Sequence, residues 1–121
     1  MAVAHEVEGT DQFEDFYIDL TSDEQARVDK VIGYLEQFGY NLGRPHADTV
    51  DGSRHANMKE LRPSGSAIRV FFAFDPRRMA ILLIGGDKSG DPKFYRRVIP
   101  VADDLYDEHL IEIGEQGEDA D

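Results

Sequence analysis

The chain has 121 residues, 40% of them hydrophobic, and a formal net charge of −12. That length suits one domain with a single core, and with no cysteine neither a disulfide framework nor a thiolate metal site is available. No apolar run approaches the roughly 18 residues needed to cross a bilayer, and Met1-Ala2-Val3-Ala4-His5-Glu6 lacks the features of a signal peptide, so a cytoplasmic protein with no membrane partner is expected.

Ala2 to Val7 alternates weakly and reads as an edge strand beginning a sheet. From Thr10-Asp11 a helix starts, and Phe13, Phe16, Tyr17 and Leu20 form its apolar stripe. After a tight Thr21-Ser22 joint, Ser22-Asp23-Glu24-Gln25 reads as a capping box with Ser22 as N-cap. Ala26, Val28, Val31, Ile32, Leu35 and Phe38 continue the apolar face to Gly39, a helix stop. Two short-linked helices predict an antiparallel hairpin lying on one face of the sheet. Tyr40 to Ala56 has no period and reads as a long surface loop. Its His46 and His55 lack a tight carboxylate pattern, so exposed loop histidines are expected and no metal site.

From Asn57 to Arg97, three strand-like runs alternate with turn chemistry at Pro63-Ser64-Gly65-Ser66 and Asp75-Pro76-Arg77-Arg78, which predicts an antiparallel meander. A four-residue turn at Pro63–Ser66 pairs Arg62 with Ala67, Glu60 with Arg69 and Met58 with Phe71. Partners across strands share a face. One face then carries Glu60, Arg62 and Arg69, with a Glu60–Arg69 ion pair. The other carries Leu61, Ile68, Val70, Phe72 and Phe74 beneath the helix hairpin, with Lys59 snorkelling from the apolar side. Met79 to Ile84 suits a central strand buried on both faces. Gly85-Gly86-Asp87-Lys88-Ser89-Gly90 lacks the spacing of a phosphate-cradling loop, so its glycines are expected to allow a sharp turn and a close approach.

Asp91-Pro92 opens a last helix with a stripe of Phe94, Val98, Val101, Ala102, Leu105, Tyr106 and Leu110. Lys93, Arg96 and Arg97 sit in its first turns, where cations oppose the helix dipole, so an anion-binding role is expected of them. The domain is expected to span residues 1–113. Residues 114–121 read as an acidic, disordered tail. The class is α+β: a helix hairpin on a small twisted antiparallel sheet, followed by a long C-terminal helix.

Charge is distributed unevenly. Residues 1–40 hold ten acids against Arg27 and Lys30, and residues 98–121 hold nine acids and no base, whereas residues 41–97 hold eleven bases against six acids. A cationic surface inside an acidic protein can still dock a polyanion, because local potential decides. Arginine forks bind two phosphate oxygens at once and stabilise charge that builds at phosphorus. RNA carries its own nucleophile, the 2′-hydroxyl. Cleavage without metal or cofactor then needs cations (Arg62, Arg69, Lys88), a proton acceptor (Glu60 or Lys88) and a donor, for which Tyr95 is suited. Lys59, Arg54, Lys93, Arg96 and Arg97 would hold flanking phosphates. No Ser-His-Asp set, paired acidic metal site or nucleophile elbow is present.

The series Met58-Lys59-Glu60-Leu61-Arg62, Ile68-Arg69-Val70-Phe71-Phe72, Ile81-Leu82-Leu83-Ile84-Gly85-Gly86-Asp87-Lys88 and Phe94-Tyr95-Arg96-Arg97, placed after two amphipathic helices, resembles the HigB branch of the RelE/ParE toxin superfamily from about Val3 to Leu110. The resemblance implies a RelE-like fold and a type II toxin–antitoxin toxin. The implied activity is that of a ribosome-dependent mRNA endoribonuclease, an mRNA interferase that binds ribosome and mRNA. A cognate antitoxin, expected to carry a helix-turn-helix, holds it inactive. Arg62 and Arg69 match the basic hairpin positions of that family, Lys88 the basic residue after the last strand, and Tyr95 the aromatic in the following helix. Two other readings remain: a non-enzymatic ParE-like inhibitor of DNA gyrase, and a catalytically degenerate antitoxin-binding protein.

Overall fold

The structure, a computed structural model, describes residues 5–119, with side chains through residue 114. Strands β1 (Val7–Gly9), β2 (Ala47–Thr49), β3 (Lys59–Leu61), β4 (Ile68–Phe74) and β5 (Ala80–Asp87) form one sheet in the order β1-β5-β4-β3-β2. Helices α1 (Asp11–Ile18) and α2 (Ser22–Phe38) form the expected hairpin, and α3 (Phe94–Asp119) is the long last helix. The α+β class and the meander β3-β4-β5 match the sequence reading, with two additions at the edges. β1 is a later strand than Ala2–Val7 and pairs in parallel with β5, Val7 opposite Ala80. Residues 1–4 lie outside the described residues. β2 sits inside the stretch read as a loop and pairs antiparallel with β3; at three residues it is too short to show a period.

Helix starts follow from local chemistry. Thr10 caps α1, its hydroxyl accepting from the Phe13 N–H at 3.0 Å. The capping box of α2 is Thr21 with Glu24, one residue earlier than Ser22 with Gln25. Thr21 accepts from the Glu24 N–H, Glu24 accepts from the Thr21 N–H, and the Gln25 amide donates instead to the Tyr17 carbonyl. Gly39 ends α2 at φ 54°, a backbone that only glycine adopts readily.

The sheet has two faces, and each carries its own core. Leu61, Ile68, Val70, Phe72, Phe74, Ala80 and Leu82 pack with Phe13, Val28, Val31 and Leu35 of the helix hairpin. This is the apolar face expected from the sequence; Phe38 stays 44% exposed. Met58, Phe71, Ala73, Ile81 and Leu83 pack on the other side against Phe94, Val98, Ile99, Ala102 and Leu105 of α3. The second face was expected to be polar and open, and instead α3 covers it. Phe71 and Ala73 alternate with Val70 and Phe72 along β4, so both faces of that strand must be buried. In α3, Ile99 is buried where Val101 was expected, and Val101 is 41% exposed.

The β3–β4 register is shifted by two residues. Glu60 lies opposite Phe71 and Leu61 opposite Val70, because the connection spans residues 62–67 instead of four residues. Ser66 Oγ accepts from the Ile68 N–H and the Ala67 carbonyl accepts from the Lys88 N–H, which holds that wider turn. A shift of two keeps every side chain on its face, whereas a shift of one would have inverted the core. Gly85 and Gly86 are strand residues and do not turn the chain. A Cβ on Gly85 would meet the Phe16 ring at 2.3 Å, and one on Gly86 the Phe94 ring at 2.7 Å, so the pair admits an aromatic ring from each helix layer. The turn itself falls at Gly90, φ 63°.

α3 continues past Ile113 through Asp119, so residues 114–119, expected to be disordered, are helical; residues 120 and 121 lie outside the described residues. Gly114 alone costs a helix about 1 kcal/mol, which is not enough to stop one without a left-handed cap.

Candidate functional site

Glu60 is the centre of the site. It projects from β3 toward the α3 side of the sheet and is 3% exposed. Its Oε2 accepts from Arg62 Nε at 3.1 Å and Arg62 Nη2 at 2.9 Å, and its Oε1 accepts from the Tyr95 hydroxyl at 2.7 Å. Arg69 Nε lies 3.9 Å from Oε1, beyond a hydrogen bond, and is buried without a partner. The Arg69 Nη1 is tied down, donating to the Ser66 and Ile68 carbonyls at 3.1 and 2.8 Å. Three elements thus deliver four side chains to one point: Glu60 from β3, with Arg62 just beyond its end, Arg69 from β4 and Tyr95 from the first turn of α3.

Local packing fixes Tyr95. Phe94 fills the space left by Gly86, and Tyr95 meets Phe71 edge-on with centroids 6.0 Å apart. Burial raises the Tyr95 phenol above its usual range, and its hydrogen bond to Glu60 adds to that, while Arg69 opposes. The phenol therefore keeps its proton at neutral pH. The Glu60 hydrogen bond likewise raises Arg62. Asp48 of β2 stands 3.5 Å from Arg62 and 2.8 Å from Arg44. No signal in the sequence placed Asp48 here, because β2 was not legible.

Other expected site residues fall elsewhere. Lys88 is half-buried and follows Asp87, which pairs with Ile68. By strand alternation it stands on the Arg69 side of the sheet, but no hydrogen bond or ion pair among the described residues joins it to the Glu60 cluster. Lys59 lies opposite Phe72, hence on the helix-hairpin face away from Glu60. Arg54 is bound to α3 farther along, by Asp104 at 3.1 Å and by Asp107. These acids lie nine or more positions after Tyr95, roughly 13 Å or more along a helix, so Arg54 is not part of this cluster. Arg97 pairs with Asp91 and lies over the Phe94 ring, 5.9 Å to the centroid. Lys93 and Arg96 are exposed at the start of α3 with no ion pair among the described residues.

The histidines are not the free loop groups expected. His55 Nε2 meets Asp107 at 2.7 Å, and the His46 ring packs on Tyr34 at 4.5 Å. Sequence reading also missed two buried acids. Asp75 takes His109 at 2.8 Å, the Arg77 guanidinium at 2.8 Å and the backbone N–H groups of Arg77 and Met79. Asp103 takes the Ser53 hydroxyl and the Arg54 N–H. Both tie α3 to the sheet or its loops across more than thirty residues, a range at which a single sequence gives no signal.

Comparison with known proteins agrees with this geometry. The family Phage derived protein Gp49-like (DUF891) matches residues 15–107. A Mycobacterium tuberculosis protein assigned as toxin HigB3 is 52% identical over 93 residues, which are 76% of this chain and 82% of that protein. A second from the same organism, assigned as toxin HigB2, is 51% identical over 83 residues, 65% of this chain and 41% of that protein, so the chain spans less than half of it. In fold, the chain is similar to the toxin–antitoxin complex RelBE2 of Mycobacterium tuberculosis, with a TM-score of 0.56 at 16% identity over 70% of this chain and 99% of the matched one. The family match and these relatives place the chain in the Gp49-like family, among HigB-like proteins, with a RelE-like fold.

Proposed function

We propose that this toxin is an mRNA endoribonuclease that acts on ribosome-bound mRNA in the cytoplasm, without a metal or cofactor. The observation that supports this most is the convergence of Arg62, Arg69 and Tyr95 on one point beside Glu60. In the proposed reaction the 2′-oxygen attacks the adjacent phosphorus and the bond from phosphorus to the 5′-oxygen breaks. The products are a 2′,3′-cyclic phosphate and a free 5′-hydroxyl. Arg62 and Arg69 hold the non-bridging oxygens as negative charge grows there. Tyr95, kept protonated by burial and by Glu60, gives its proton to the departing 5′-oxygen. Glu60 or Lys88 takes the proton of the 2′-hydroxyl. Lys93 and Arg96, exposed at the start of α3, guide the flanking phosphates.

A cognate antitoxin is the expected partner, since RelBE2 is a toxin–antitoxin complex and the acidic helices of this chain offer a basic segment a complementary surface. Inducing the protein and mapping transcript ends tests the nuclease reading. Wild type is expected to halt translation and cut mRNA, and Arg69→Ala to do neither. Intact mRNA with inhibited gyrase, equally strong in Tyr95→Phe, would replace the nuclease with the gyrase reading.

A further inference from the structure

Glu60 has little free capacity in this arrangement. A carboxylate accepts at about four lone-pair sites. Two are taken by Arg62, one by Tyr95, and the fourth side faces Arg69 Nε at 3.9 Å. Its one unbonded site points at Arg69 and the group is buried, so a 2′-hydroxyl has no approach to it while it stays where it is. The Arg62 guanidinium and the Tyr95 phenol are occupied by Glu60, whereas Arg69 faces the same carboxylate without bonding it.

The one buried side-chain atom left unsatisfied among the described residues is informative. Arg69 Nε is a buried donor with no acceptor, and an unpaired buried donor is unfavourable enough that folded proteins rarely keep one without a use for it. The planar Glu60 carboxylate reaches Arg62 and Tyr95 but falls short of Arg69. A phosphodiester is tetrahedral and larger, with two non-bridging oxygens that share one charge and two ester oxygens, and in the same seat it can reach all three donors.

We propose that Glu60 is a resident anion that occupies the phosphate seat between Arg62, Arg69 and Tyr95, and that RNA enters by displacing it. The proposal rests on the nuclease reading for the identity of the ligand. It explains how a chain of net charge −12 keeps two arginines together in a half-buried site, and it makes the site partly self-neutralised at rest. With Asp48 shared between Arg44 and Arg62, Glu60 lowers the local charge of Arg44, Arg62, Arg69 and Asp48 from +2 to +1, so other polyanions are more weakly attracted until Glu60 moves. Once released, the carboxylate has the free lone pairs that proton acceptance requires.

The test is binding of a short RNA methylated at every 2′-oxygen, which cannot be cut, to the purified protein by fluorescence anisotropy. Glu60→Gln is expected to bind at least about tenfold more tightly than wild type. Glu112→Gln, which loses the same charge from an exposed position on α3, is expected to bind as wild type does. Adding Arg69→Ala to Glu60→Gln should remove the gain. An affinity for Glu60→Gln equal to or below that of Glu112→Gln overturns the proposal. Should Glu60→Gln fail to fold, as judged by its circular dichroism, wild type answers by NMR. The Arg69 Nε–H resonance must then shift on titration with the methylated RNA, and an unmoved resonance overturns the proposal. A gain in Glu60→Gln with no mRNA cleavage by wild type would leave the seat standing and remove the nuclease. Cleavage by wild type without that gain would remove the resident anion alone.

Discussion

The two faces of the sheet solve the same packing problem with different chemistry. Under α1 and α2 the buried contacts are almost wholly apolar, from Phe13 through Leu82. Under α3 an apolar core of similar make-up is bordered by three buried acids, Glu60, Asp75 and Asp103. Each of those acids is held by donors from a different part of the chain. The hairpin face therefore contributes to stability chiefly by area and shape, which are non-directional. The α3 face adds directed bonds, and a buried charge persists only where such bonds surround it. Both helix layers hold the fold, and the α3 layer also builds the candidate site.

Substitutions can separate the two roles. The largest loss of stability should follow Leu35→Ala on the hairpin face. Leu35 is fully buried, and emptying such a site costs about 2–5 kcal/mol. A urea melt should show the lower midpoint, with cleavage per folded molecule unchanged. Arg69→Ala should show the opposite pattern, a loss of roughly 10²–10³ in cleavage rate with a near-normal melt, since an orphaned donor leaves with it. A fall in stability as large as that of Leu35→Ala would assign Arg69 to the fold and erase the contrast.

Gly85→Ala and Gly86→Ala compare the faces at one spot. Each added methyl drives into an aromatic ring, Phe16 on one side and Phe94 on the other, and overpacking of this kind costs about 1–3 kcal/mol. Both should lower the melting temperature. Gly86→Ala alone should also reduce cleavage, because Phe94 precedes Tyr95.

pH provides a subtler probe of the α3 side. Burial pushes the Asp75 carboxyl up, but His109, Arg77 and the Met79 N–H outweigh it and hold the group below its usual range. A depressed folded-state value means that this contribution is complete above the unfolded value of about 3.9 and is lost as pH falls through the folded one. Urea midpoints of wild type should therefore drop below about pH 4 more steeply than those of Asp75→Asn. Equal slopes would show that Asp75 is not held ionised by its neighbours. The smallest effect is expected from Thr21→Ala, which removes one cap and costs about 1 kcal/mol, read as a small shift in melting temperature with cleavage intact.

Much of the hairpin face was legible from spacing alone. Phe13, Val28, Val31 and Leu35 recur at helical intervals, and Val70, Phe72 and Phe74 at the strand interval, so each core residue is marked by its near neighbours. The candidate site was partly legible: Glu60, Arg62 and Arg69 share a face because parity survives a two-residue shift in register. Tyr95 joined them only because α3 lies across that face. Asp48, Asp75 and Asp103 gave no sign, since their partners are distant and their local sequence resembles that of any exposed acid.

Period, capping residues and glycine stops are properties of neighbouring positions, so the sequence by itself determined the helix hairpin, the central meander and which side chains alternate to which face. Whether a face is covered, how wide a turn is and which donors surround a carboxylate depend on segments brought together from thirty or more residues away. Tertiary packing alone decided that α3 closes the second face, and that Glu60 and its arginines meet the Tyr95 phenol there instead of water.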